Sequence, residues 1–146
     1  MLGQDDSMKN LHEKIFLVLT IILLLLGLAS CSGAELPAKF IKAIHQVEAS
    51  GRLGAIIGDN GRALGPFQIH KSYFIDSCVK GNYTNCADYQ FSVCVVTGYL
   101  NRWCLPAIRK NNYETMARIH NGGPMGAFKS HTITYWKRVK KELDKQ

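Results

Sequence analysis

The sequence predicts an α+β fold, mainly helical, with one small β-hairpin near residues 54–64. Three observations lead there. Apolar residues recur at helical spacing in several separate segments. A glycine-rich stretch (Gly51, Gly54, Gly58, Gly61, Gly65) separates the first of these from the rest and holds a short β-branched run before a tight turn. The 146 residues, 47% hydrophobic and 20% charged, suit one globular domain with a modest core and exclude a disordered chain or a multidomain machine.

The first segment is not part of that domain. Ile15 to Ala29 reads IFLVLTIILLLLGLA, without a charge, and is short for a membrane span of roughly 20 residues. Lys9 and Lys14 precede it; Ala29, Ser30, Ser32, Gly33 and Ala34 follow. A basic flank, an apolar core and a small-residue exit read as a secretory signal over residues 1–31, with a retained anchor as the alternative. Residues 32–146 are then the mature domain. Met8 is an alternative start, because Asp5 and Asp6 are out of place in a signal's basic region. Leu28-Ala29-Ser30-Cys31 resembles a bacterial lipobox, so the expected location is extracellular, or lipid-anchored at Cys31 in a bacterium.

Residues 1–31 hold Asp5, Asp6 and Glu13 against Lys9 and Lys14, so they carry −1 of the total +7 and the remainder carries +8. An exported chain of that charge suits anionic partners: a bacterial wall, acidic glycans, an anionic membrane or nucleic acid. Cys78, Cys86, Cys94 and Cys104 are an even set at spacings of 8, 8 and 10, unlike the short paired spacings of a zinc site. With export, they predict two disulfides of unassigned pairing.

Along the domain, Pro37 opens a helix whose apolar face is Phe40, Ile41, Ile44 and Val47, ending at Glu48-Ala49-Ser50-Gly51. Ala55-Ile56-Ile57 is a strand running into the turn Gly58-Asp59-Asn60-Gly61. Phe67 to Ile75 is apolar and aromatic, helical from about Lys71. Asp88 caps a helix carrying Phe91, Cys94, Val95, Gly98, Tyr99 and Trp103, which Pro106 ends or restarts. Asn111 and Asn112 precede a short helix with Tyr113, Met116 and Ile119. His120-Asn121-Gly122-Gly123-Pro124 is expected as a loop. Ile133, Trp136, Val139 and Leu143 mark a basic amphipathic final helix.

Two of the domain's carboxylates stand out by context. Glu48 ends an apolar helix face, a setting that suits a protonated acid, and Asp59 lies in a polar turn that suits a carboxylate. Such a pair is what glycoside hydrolysis requires. On spacing alone the plainer account is stronger: a helix-end charge and a turn former. His45 and Glu48 share a face but make no metal site. His120 suits a ligand-orienting role or a loop-tying one. Neither a nucleophile elbow nor a phosphate-binding glycine loop is present.

The stretches 46-QVEASGR-52, 59-DNGRALGPFQIHKSYFID-76, 117-ARIHNGGPMG-126 and 134-TYWKRV-139 resemble the invertebrate-type (destabilase-like) lysozymes, in the family's order and across most of the mature chain. The chain departs in having few cysteines and in Ala49-Ser50-Gly51-Arg52 after the glutamate. The resemblance implies a lysozyme-like fold with the hairpin beside an active-site cleft. It implies a muramidase that cleaves the β-1,4 bond between N-acetylmuramic acid and N-acetylglucosamine in peptidoglycan. Glu48 becomes the general acid and Asp59 the second carboxylate. Gln68, Tyr73, His120, Asn121 and Gly122 become the sugar-groove residues. No cofactor or metal is implied, and a monomer is expected. The alternatives are a lytic transglycosylase, which needs only the glutamate, and a non-catalytic cationic wall binder. Nucleic-acid binding has charge in its favour but neither compartment nor motif.

Overall fold

The computed structural model describes residues 33–146, which lie within one unit spanning Cys31–Gln146. The signal over residues 1–31, the start at Met8 and the lipobox at Cys31 fall outside the described residues. No described helix is long and apolar enough to cross a membrane.

The domain is mainly helical with one small antiparallel sheet, the class expected from the sequence. Helix α1 spans Ala38–Ala49. Pro37 precedes it with φ −57°, and its carbonyl accepts the Phe40 and Ile41 amides at 2.9 and 3.2 Å. Phe40, Ala43 and Ile44 are completely buried. Each large apolar side chain so buried contributes roughly 1.5–3 kcal/mol. The helix stops because Ser50 and Gly51 take left-handed geometry, φ 54° and 75°. Glu48 therefore sits in the last turn, where the chain swings away.

The expected hairpin is part of a three-stranded sheet: β1 (Ile57–Gly58), β2 (Ala63–Leu64) and β3 (Ile69–His70), in the order β1-β2-β3. Gly58 faces Ala63 and Leu64 faces Ile69. The third strand was not expected. It forms because Gly65 (φ 80°) and Gln68 (φ 47°) reverse the chain. The Gln68 amide then bridges Gly65 O at 3.0 Å and Ile56 O at 3.3 Å. Tyr83, in the 3-10 turn Tyr83–Ala87, donates its hydroxyl to Ile69 O at 2.7 Å and ties that turn to the sheet.

Helix α2 is Lys71–Asp76, starting where the sequence places it. Helix α3, Tyr89–Arg109, is the central rod, with Val95, Val96 and Leu100 fully buried and Asp88 capping it through the Phe91 amide at 2.8 Å. The helix kinks where Cys104 leaves helical geometry (φ −148°), and Pro106 lies in the first turn beyond the kink, restarting the helix as one of its two expected outcomes has it. Trp103 is 38% exposed rather than on the buried face.

Helix α4 is Tyr113–Gly122, capped by Asn112 through the Thr115 amide at 3.0 Å. His120, Asn121 and Gly122 are its last turn, not a loop. Gly122 continues the helix because only a glycine fits against Thr132 there; the break comes at Gly123, φ 82°. Helix α5 is Thr132–Leu143. Its buried face is Thr132, Tyr135 and Val139, with Trp136 and Leu143 partly buried against the core as expected; Ile133 alone departs from the expected face and is exposed. The Thr132 hydroxyl, within 2.8 Å of Gly126 O and 2.7 Å of Lys129 O, anchors the start of the helix.

The disulfide expectation is corrected. Cys78, Cys86 and Cys104 are free thiols, so no two of the four predicted cysteines, Cys94 included, pair with one another. Each free thiol has a different neighbourhood. Cys78 is exposed and accepts from Arg102 at 3.2 Å. Cys86 is sealed in the core, and Cys104 is buried at the α3 kink. Burial pushes the Cys86 thiol up to about 11 and that of Cys104 to about 12.

Candidate active site

One cavity of about 640 Å³ carries Glu48 and Asp59 on the same lining. Glu48 arrives from the last turn of α1 and Asp59 from the turn after β1. Their surroundings differ. The Glu48 side chain is 18% exposed and that of Asp59 42%.

Glu48 is gripped from two helices. The Tyr135 hydroxyl on α5 donates to Oε1 at 2.7 Å. His120 Nε2 on α4 lies 3.5 Å from the same oxygen, and its Nδ1 meets the Tyr73 hydroxyl at 2.8 Å. Arg138, one turn after Tyr135, donates to Val47 O at 2.8 Å and fixes the backbone beside the glutamate. Burial, with the Glu48 charge adding to it, holds the Tyr135 phenol well above its ordinary value. Tyr73 is also held up, mainly by burial and then by Tyr99.

Asp59 is presented differently. Asp59 and Asn60 both have positive φ, 48° and 54°, in a turn of 3-10 type. Asp and Asn tolerate that geometry better than other side chains, and strain of this kind collects at functional sites. Gly58 allows the turn to close, since any Cβ there would collide with Gln68 Oε1. The carboxylate accepts from Arg62 Nη2 at 2.8 Å and stands 3.2 Å from His70 Nε2. Arg62 sets a permanent positive charge beside this open carboxylate.

Of the residues expected in a sugar groove, Gln68, Tyr73, His120 and Asn121 line the cavity, whereas Gly122 packs against Thr132 and its place on the lining is taken by Gly123 and Pro124. Gln68 spends its amide nitrogen on the hairpin backbone. Tyr73 has one face covered by Tyr99, stacked at 3.6 Å. Sequence reasoning missed His70, Asp76 and Arg138 on the lining, and Tyr135 behind it. The signal for Tyr135 was a hydroxyl-bearing residue on the apolar face of the last helix.

The family model described as Destabilase matches residues 29–142. The chain belongs to the destabilase family. A lysozyme of Ostrea edulis is 34% identical over 129 residues, covering 86% of this chain and 93% of that protein. A lysozyme of Meretrix lusoria is 33% identical over 114 residues, with 75% and 93% covered. The crystal structure of Tapes japonica lysozyme superposes with a TM-score of 0.61 at 31% identity, over 75% of this chain and 91% of that one. That of Meretrix lusoria lysozyme in complex with Aeromonas hydrophila PliI superposes with a TM-score of 0.63 at 29% identity, over 75% and 93%. This destabilase-family chain is a glycoside hydrolase of the lysozyme class, as the resemblance in its motifs implied.

Proposed function

We propose that Glu48 is the general acid and Asp59 the second carboxylate of a muramidase acting outside the cell on bacterial peptidoglycan. The observation that carries this is the asymmetry within one cavity. Glu48 is sheltered and held by a phenol, and Asp59 is open and flanked by Arg62 and His70.

The chemistry follows from that asymmetry. Glu48 gives its proton to the oxygen of the β-1,4 bond between N-acetylmuramic acid and N-acetylglucosamine, and the carbon–oxygen bond breaks. Asp59 faces the positive charge left on the sugar carbon, which no neutral side chain would stabilise as well. Water then adds to that carbon and returns a proton to Glu48. His120 and Asn121 border the sugar, Tyr73 and Gln68 brace the groove, and exposed backbone at Gly123 suits sugar hydroxyls and acetamides.

Export is supported by the signal-like segment before residue 32 and by a mature charge of +8 suited to an anionic wall. A turbidity assay on bacterial walls is the test. Glu48→Gln removes nearly all lysis while the protein still sediments with the walls; lysis at the wild-type rate would leave a charge-driven binder instead. Mass spectrometry of the products finds hydrated reducing ends, and anhydro-sugars would favour transglycosylation.

A further inference from the structure

We infer that Tyr135 is a positioning residue for Glu48, committing Oε1 to a donated hydrogen bond so that the acid proton resides on Oε2. The inference rests on Glu48 being the acid. Its basis is that both polar side chains near the Glu48 carboxyl address the same oxygen. The Tyr135 hydroxyl donates to Oε1 at 2.7 Å, and His120 Nε2 stands 3.5 Å from it. Among the described residues no hydrogen bond reaches Oε2. A carboxylic acid has one proton for two oxygens. An oxygen that already accepts from a phenol is the poorer place for it, so the proton is left on the other.

The arrangement is braced from three helices. Tyr135 is 6% exposed, and its ring lies 6.2 Å from that of His120. Tyr73 on α2 ties His120 down through Nδ1. When Tyr73 donates there, the His120 hydrogen is on Nε2 and turns toward Oε1, reinforcing the same choice. The charged and titratable groups around Glu48 are therefore Tyr73 on α2, His120 on α4 and Tyr135 and Arg138 on α5. Asp59, with Arg62 and His70, stands at the sheet side of the cavity. Only Tyr135 donates to the carboxyl at hydrogen-bond distance.

Tyr135→Phe keeps the ring and deletes the donor. On soluble peptidoglycan fragments kcat falls on the order of ten- to a hundredfold, part of what a positioned general acid supplies, while KM stays within about twofold. The alkaline limb of the rate profile moves to higher pH, because a donor to a carboxylate favours its charged form and has been removed. An unchanged kcat, or a fall in kcat with the limb in place, overturns the inference. A second measurement does not need that variant to fold. In Glu48→Gln the most alkaline part of the ultraviolet titration of the tyrosines, where the buried phenols ionise, moves to lower pH, because the charge and hydrogen bond that help keep the Tyr135 phenol protonated are gone; a high-pH end left in place also overturns it. Inactive Glu48→Gln with wild-type-like Tyr135→Phe defeats this inference alone. Active Glu48→Gln defeats the reading on which it rests.

Discussion

At the scale of single residues, the chemistry depends on how two carboxylates of similar intrinsic acidity are kept different. Glu48→Gln lowers hydrolysis by at least about 10²-fold, since a general acid supplies 10²–10⁴ and the amide has no acid proton to give. Asp59→Asn produces a loss of similar order on both walls and soluble fragments, measured as kcat/KM, because the developing positive charge loses its counter-charge. That the two carboxylates of the proposed pair share one cavity was foreshadowed by their positions, one at a helix end and one in a glycine-rich turn, once the surrounding motifs were joined to them. The second ring of contacts was not. Tyr135 lies 87 residues from Glu48, and no local pattern pairs residues at that distance. His70 sits directly after Ile69 in an apolar stretch, and its approach to Asp59 depends on β3, a strand two residues long.

At the scale of elements, helices with long apolar periodicity were readable and short strands were not. Helices α1, α3 and α4 announce themselves through Pro37, Asp88 and Asn112, which stand where a helix start needs them. Strands of two residues carry too little alternation to be recognised, and the reversal between β2 and β3 rests on backbone geometry at Gly65 and Gln68. Gly65→Ala tests that reversal. A Cβ there would meet the Cys86 carbonyl at 1.8 Å and would also force φ 80° on an alanine. The expected cost is on the order of 1–3 kcal/mol or more, read from chemical denaturation, with weaker activity as Asp59 loses its mount. Asp88→Ala is the milder contrast: about 1 kcal/mol of stability for a lost cap, with hydrolysis unchanged. The first turn of α5 teaches a related point. Thr132 is polar and Ile133 apolar, yet Thr132 is the buried one, because its hydroxyl meets two backbone carbonyls, while Val139, Trp136 and Leu143 pack on the core as their spacing implies.

At the scale of the molecule, the core contains groups that must stay protonated. In an unfolded chain thiols ionise from about 9.0 and phenols from about 10.0; folded, Cys86 holds to about 11 and Cys104 and Tyr99 to about 12. The unfolded state therefore releases protons first as pH rises. Stability is full below about pH 9 and declines from there to about pH 12. Thermal midpoints measured across that range should fall steadily, and a flat profile would count against this burial. Surface charge acts separately. Residues 32–146 carry +8 and are drawn to an anionic wall, so added salt is expected to slow wall lysis while hydrolysis of small neutral fragments changes little. The disulfide expectation failed at this same scale. An even count and an export signal say nothing of where thiols end up, and here packing sealed Cys86 and Cys104 into separate parts of the core.

The hydroxyl that grips Glu48 and the guanidinium beside it both belong to the last helix, Thr132–Leu143, whereas the two carboxylates come from the first half of the domain. Synthesis runs from the amino end, so the acid and its counter-charge are made long before the groups that aim the acid. A chain cut short before Thr132 carries the proposed catalytic pair without the hydroxyl that holds Glu48. On the proposed reading, activity requires translation through the helix Thr132–Leu143, however early the two carboxylates are made.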